Sequence, residues 1–97
     1  MFKKRRGIKI PYNEQGLIHF TCMNIKTQPN AIQQKIFDLC NEVAGEHAEA
    51  LYKMLTDDAL NVHAVAMRYY RSESQLYQFR KRFYEAWGKH RDNERIS

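Results

Sequence analysis

Residues 60–87, LNVHAVAMRYYRSESQLYQFRKRFYEAW, constrain the fold more than any other stretch. Two runs of helical periodicity meet there with only a few residues between them. Asn61 is a good N-cap, because its side-chain oxygen can accept from an orphan backbone N–H of the first turn. Val62, Val65, Ala66 and Tyr69 then recur at helical spacing as one apolar stripe. Small Ala66 at mid-helix lets a second helix cross close by. Ser72 is placed to cap that second helix. Leu76, Phe79, Phe83, Ala86 and Trp87 follow at steps of three and four or side by side, so this helix buries one continuous face.

A short helix propping a longer basic one across a tight turn is the layout of a helix-turn-helix, whose second helix enters the major groove of DNA. The other faces of the second helix carry Glu73, Ser74, Gln75, Tyr77, Gln78, Arg80, Lys81 and Arg82. Gln pairs bidentately with adenine, and Arg or Lys with guanine or phosphate. Gln75, Gln78 and Lys81, read as lying opposite Leu76, Phe79 and Phe83, are therefore the expected base-reading residues, flanked by Ser74 and Tyr77. Arg68, Arg71, Arg80 and Arg82 are the expected phosphate contacts. An ordinary helical hairpin with a solvated charged face would share much of this pattern.

VAMRYYRSESQLYQFRKR resembles the helix-turn-helix of sigma-factor region four and its relatives. The matching positions are the apolar-Ala pair Val65-Ala66, Tyr69 three further on, the turn Tyr70-Arg71, the cap Ser72, and apolar Leu76 and Phe79 four and seven past it. Asn61-Val62-His63 matches the cap-apolar-polar start of the supporting helix. The resemblance covers about residues 47–84 and is close to small regulators of bacterial prophages and conjugative transposons. It implies a sequence-specific transcriptional regulator binding double-stranded DNA, with RNA polymerase as a further partner. One departure stands out. The family often has Gly in the turn, and a left-handed Tyr is costly, so Tyr70 leads us to expect a turn of another type.

Charge segregates along the chain. Residues 1–12 carry Lys3, Lys4, Arg5, Arg6 and Lys9 with no acid; residues 13–67 hold seven acids and three bases; residues 68–91 hold seven bases and two acids. With a net charge of +5, such ends attract polyanions in a salt-dependent way. The basic stretch 1–12 reads as an arm, and Lys3, Lys4, Arg5 and Arg6 as further phosphate contacts. A solvated tail is the equal alternative. The acidic middle (Glu42, Glu46, Glu49, Asp57, Asp58) supports a second reading: a module that binds RNA polymerase or another host protein without reading DNA.

Residues 13–27 fit a helix with Ile18, Thr21, Cys22 and Ile25 on one face, capped by Asn13. Ile18, Phe20 and Cys22 also alternate as in a strand, but a lone strand among helices would lack partners, so helix is expected. Residues 28–44 form the clearest helix, with Pro29 in its first turn, Ile32, Ile36, Leu39, Cys40 and Val43 on one face, and Gly45 as its stop. The next helix is expected from Glu46 to Thr56, burying Ala48, Leu51, Tyr52 and Leu55. Gly88 is expected to break the last helix and leave 88–97 as a frayed tail. Of the aromatics, Phe79, Phe83 and Trp87 read as core, with Tyr77 and Tyr84 freer.

The expectation is a single all-α domain of about five helices over residues 1–97, with a trihelical helix-turn-helix unit in the C-terminal half. No apolar run suits a membrane span or a signal peptide, so a cytoplasmic location is expected. Cys22 and Cys40 read as buried thiols. His19, His47, His63 and His90 form no metal-binding spacing, and no phosphate loop or nucleophile–base motif occurs. No cofactor, metal or enzymatic activity is expected. No heptad or other dimer signature is visible.

Overall fold

The computed structural model describes residues 11–57 and 59–96, with the side chains of Tyr12 and residues 89–96 left aside. It is all-α: α1 (Tyr12–Met23), α2 (Asn30–Ala44), α3 (Ala48–Thr56), α4 (Val62–Tyr69) and α5 (Glu73–Ile96), with single 3-10 turns at Ile25–Thr27 and Gly45–His47. No strand occurs among the described residues.

Pro11, rather than Asn13, stands at the start of α1, and the Gln15 N–H donates to its carbonyl at 3.0 Å. Proline suits such a place because its fixed φ leads into the helix. The expected arm therefore ends before Tyr12, and its basic residues Lys3, Lys4, Arg5 and Arg6 lie outside the described residues. Pro29 plays the same part for α2, one position earlier than its first turn. Gly45 ends α2 with φ 54° and ψ −118°, a positive-φ backbone that glycine adopts readily and an L side chain does not. The expected helix from Glu46 begins as the 3-10 turn, so α3 proper starts at Ala48.

The core runs through all five helices. Ile18 and Cys22 of α1 meet Ile36, Leu39 and Cys40 of α2, Leu51 and Leu55 of α3, Val65 and Ala66 of α4, and Leu76, Phe79, Phe83 and Trp87 of α5. Ala50 and Met54 are buried as well, as is the polar Gln15. Each large apolar side chain so buried contributes about 1.5–3 kcal/mol. Both cysteines are free and buried. Tyr84, expected to be freer, is instead 1% exposed and packs its ring 6.3 Å from that of Phe83. It follows Leu76 by eight residues and Phe83 by one, which places it on the edge of the inward face.

α5 is the element the others gather on: it packs against α1, α2, α3 and α4. α3, α4 and α5 touch one another pairwise, making the expected trihelical unit, while α2 backs it through α3 and α5. The frayed tail from Gly88 is overturned. α5 is helical for 24 residues to Ile96, about 36 Å at 1.5 Å per residue. Gly88 carries no positive φ, and an interior glycine costs only about 1 kcal/mol. That is too little to end a helix held by Phe83 and Trp87, whose ring lies under Lys35 Nζ at 4.4 Å.

Among the described residues no helix is long and apolar enough to cross a membrane.

Candidate nucleic-acid interface

Three residues join α4 to α5, and local hydrogen bonds fix both ends of the turn. The Ala64 N–H donates to Asn61 Oδ1 at 2.8 Å, which starts α4. At its other end Tyr70 is left-handed (φ 55°, ψ 47°), and the Tyr70 and Arg71 N–H groups both donate to the Ala66 carbonyl. This is a Schellman-type stop, normally glycine's place. The expectation of another turn type was therefore wrong: the closing hydrogen bonds and the packing of α4 on α5 outweigh the cost of the tyrosine. Ser72 then caps α5, accepting from the Gln75 N–H at 3.2 Å.

The inward face of α5 consists of Leu76, Phe79, Phe83, Tyr84 and Trp87. Positions 74, 78, 81 and 85, at steps of four and three, point the other way. Ser74 and Gln78 are exposed there, Lys81 and Glu85 half-buried, with exposed Arg82 and Tyr77 on either flank. The expected set is thus brought onto one helix, but it is not all on one face. Gln75 turns aside: it is half-buried, with Nε2 3.5 Å from His47 Nε2. His47 in turn stacks on Phe79 at 5.4 Å and lies 3.5 Å from Glu46 Oε1. Gln75 sits one position before buried Leu76 and three before Gln78, so it borders the core rather than opposing it.

The cations differ in the same way. Arg68 and Arg82 are exposed. Arg80 is half-buried, its guanidinium 4.8 Å from the Tyr77 ring centroid, a cation–π contact that presents the pair together. Arg71 is half-buried at the turn, and its Nε has no hydrogen-bond partner among the described residues. The two acids of residues 68–91 both lie on this surface. Glu73 opens α5 with Oε2 3.5 Å from His63 Nδ1 of α4, and Glu85 interrupts the outward face.

Beside Tyr77 and Arg80 lies a groove of about 280 Å³ lined also by Met23, Met54, Asp57 and Leu60. Among the described residues no three His, Cys, Asp or Glu side chains come together to hold a metal ion.

Comparison with protein-family models, with curated proteins and with solved structures finds no match to this chain. The region-four resemblance accordingly rests on the residue pattern of 47–84 alone.

Proposed function

We propose that this chain is a double-stranded DNA-binding transcriptional regulator of the sigma-region-four type, with α5 as the helix that enters the major groove and no catalytic role. One observation supports this most: a capped helix of eight residues, α4, is joined by three residues to a longer capped helix whose apolar edge is buried and whose outward edge carries Ser74, Gln78, Lys81 and Arg82. Gln78 is the leading base reader, with Ser74, Tyr77 and Lys81 beside it. Gln75 moves to a supporting part, holding the start of α5 against His47. Arg68 and Arg82 are the leading phosphate contacts, followed by Arg71 and Arg80. The test is selection of bound duplexes from a random pool at low salt. Enrichment of a defined motif supports the reading; a pool that stays random contradicts it.

A second reading is favoured by a different surface. Glu42, Glu46 and Glu49 are exposed on α2, the α2–α3 corner and α3, and a groove of about 520 Å³ there is lined by Phe37, Ala48, Glu49, Tyr52 and Lys53, with Phe37 51% exposed. Exposed acids on the helices that frame an apolar groove, one of which lines it, fit a basic protein partner such as a subunit of RNA polymerase. Capture from nuclease-treated lysate separates the readings: a partner retained after nuclease favours this one.

A further inference from the structure

The groove at the α2–α3 corner is shaped and charged to hold a short basic peptide. Phe37, 51% exposed, and Tyr52 set their rings edge to face, with centroids 6.1 Å apart. Gly45 and Ala48 leave room beside them, and a Cβ built on Gly45 would meet nothing within 4 Å. Single exposed apolar residues are ordinary, but an aromatic pair beside open space is a surface that gains by being covered. The charge around it is mostly of one sign. Residues 36–52 hold Asp38, Glu42, Glu46 and Glu49 and no Lys or Arg. Asp38, Glu46 and Glu49 are exposed, and the Glu46 side chain is 85% so even where it meets His47. Lys53 is the one cation among the described residues that line the groove.

The chain itself carries the complement. Residues 1–10, MFKKRRGIKI, hold Lys3, Lys4, Arg5, Arg6 and Lys9 and no acid, with Phe2 before the cationic run and Ile8 and Ile10 after it. Apolar residues flanking cations match an aromatic wall flanked by acids. The segment joins the described fold at Pro11, where α1 starts. α1 packs on α3, and α3 supplies Ala48, Glu49, Tyr52 and Lys53 to the groove. With 12 residues α1 is ~18 Å long and a helix is ~10–12 Å across, whereas ten residues span up to ~33–36 Å. The groove is therefore within reach from either end of α1. A tether of that length supplies an effective concentration in the millimolar range, so a contact too weak to hold a free peptide still forms. That advantage selects the chain's own segment over a separate basic protein.

We propose that residues 1–10 dock into the α2–α3 groove of their own chain, with Phe2 against Phe37 and Tyr52 and the cations from Lys3 to Arg6 along Glu46 and Glu49. The contact is an internal guard. While it is made, the segment's cations are neutralised by the chain's own acids, and a polyanion or a basic partner must displace it first. It goes beyond both functional readings above and rests on neither.

The experiment is cross-linking of the full chain at low micromolar concentration with a water-soluble carbodiimide, which joins an amine to a carboxylate only where the two touch. Proteolysis and mass spectrometry then locate the bond. The expected product has the monomer mass and an amide between Lys3 or Lys4 and Glu46 or Glu49. It is lost at about 1 M salt, where the screening length is about 3 Å. Phe2→Ala keeps every side-chain amine and carboxylate, yet lowers the yield roughly tenfold, with the helical circular dichroism of the wild type. Should that variant not fold, Phe37→Ala, at an exposed ring, takes its place with the same expectation. An unchanged yield in the folded variant overturns the proposal. So does the same amide found only at dimer mass, which assigns the segment to a second copy. Lys3 and Lys4 joined to other carboxylates, or to none, overturn it as well.

Discussion

The two caps that frame the turn give the sharpest stability prediction. Asn61→Ala removes an acceptor held at 2.8 Å, and Ser72→Ala one at 3.2 Å. Both residues are exposed, so neither change leaves a void. Cap losses of this kind run at about 0.5–2 kcal/mol. The shorter bond and the shorter helix decide the order. α4 has eight residues, well below the length at which a helix holds itself, whereas α5 has 24 and four packing partners. Asn61→Ala should therefore cost about 1–1.5 kcal/mol, or roughly 4–12 °C in midpoint, and Ser72→Ala about 0.5–1 kcal/mol. Urea unfolding followed by circular dichroism measures both, with the denaturant slope unchanged. Asn61→Asp, another good cap, should stay near wild type. Binding should invert the order: Ser72→Ala frays the turn that carries Ser74 and Gln75, so it weakens DNA binding more than Asn61→Ala. The reasoning fails if Asn61→Ala is indistinguishable from wild type, or if Asn61→Asp is equally damaging.

Other consequences are as direct. Gly45→Ala meets open space but keeps φ +54°, so it should destabilise by about 1–3 kcal/mol through the backbone alone. Gly88→Ala should stabilise by about 0.5–1 kcal/mol, because α5 is helical there; a glycine that ended the helix would give the opposite sign in the same melt. Phe83→Ala, at a fully buried side chain, should cost about 3–5 kcal/mol, a large part of a domain's total of about 5–15. Burial pushes the Cys40 thiol up to about 12 and Cys22 higher still, with Cys40 adding to the latter. Unfolded thiols ionise near about 8.5, so stability is full below that pH and falls as pH rises toward the folded values. The unfolding constant should grow about tenfold per pH unit per thiol in that window. Replacing both by Ala should flatten the alkaline part of the curve.

The legible parts of the fold were those written in periodicity. The Ile36–Leu39–Cys40 stripe and the Leu76–Phe79–Phe83 edge are buried as their spacing dictates, and Asn61 and Ser72 cap where their chemistry suggests. What the sequence left hidden depended on tertiary packing. Tyr84 looks amphipathic by type but sits beside Phe83 on the inward edge. Gln75 is one residue from the core, and only the arrival of His47 from the α2–α3 corner decides that it turns inward. Gly88 has the form of a stop, yet the anchoring of Phe83 and Trp87 carries the helix through it. At Tyr70 the residue's own backbone cost argues against a left-handed turn, but two hydrogen bonds to the Ala66 carbonyl hold it there. The same limit applies to the proposed site: residue type places Gln75 and Gln78 on α5, while the neighbouring elements decide that Gln78 is exposed and Gln75 half-buried against His47.

The most direct measurement is the affinity of Gln78→Ala for the selected duplex and for versions of it changed one base pair at a time. The predicted result is a loss of about 1–3 kcal/mol on the selected sequence, relaxed discrimination at one or two adjacent positions, and an unfolding midpoint equal to wild type. Wild-type affinity and unaltered discrimination at every position would contradict the claim that the outward edge of α5 reads DNA.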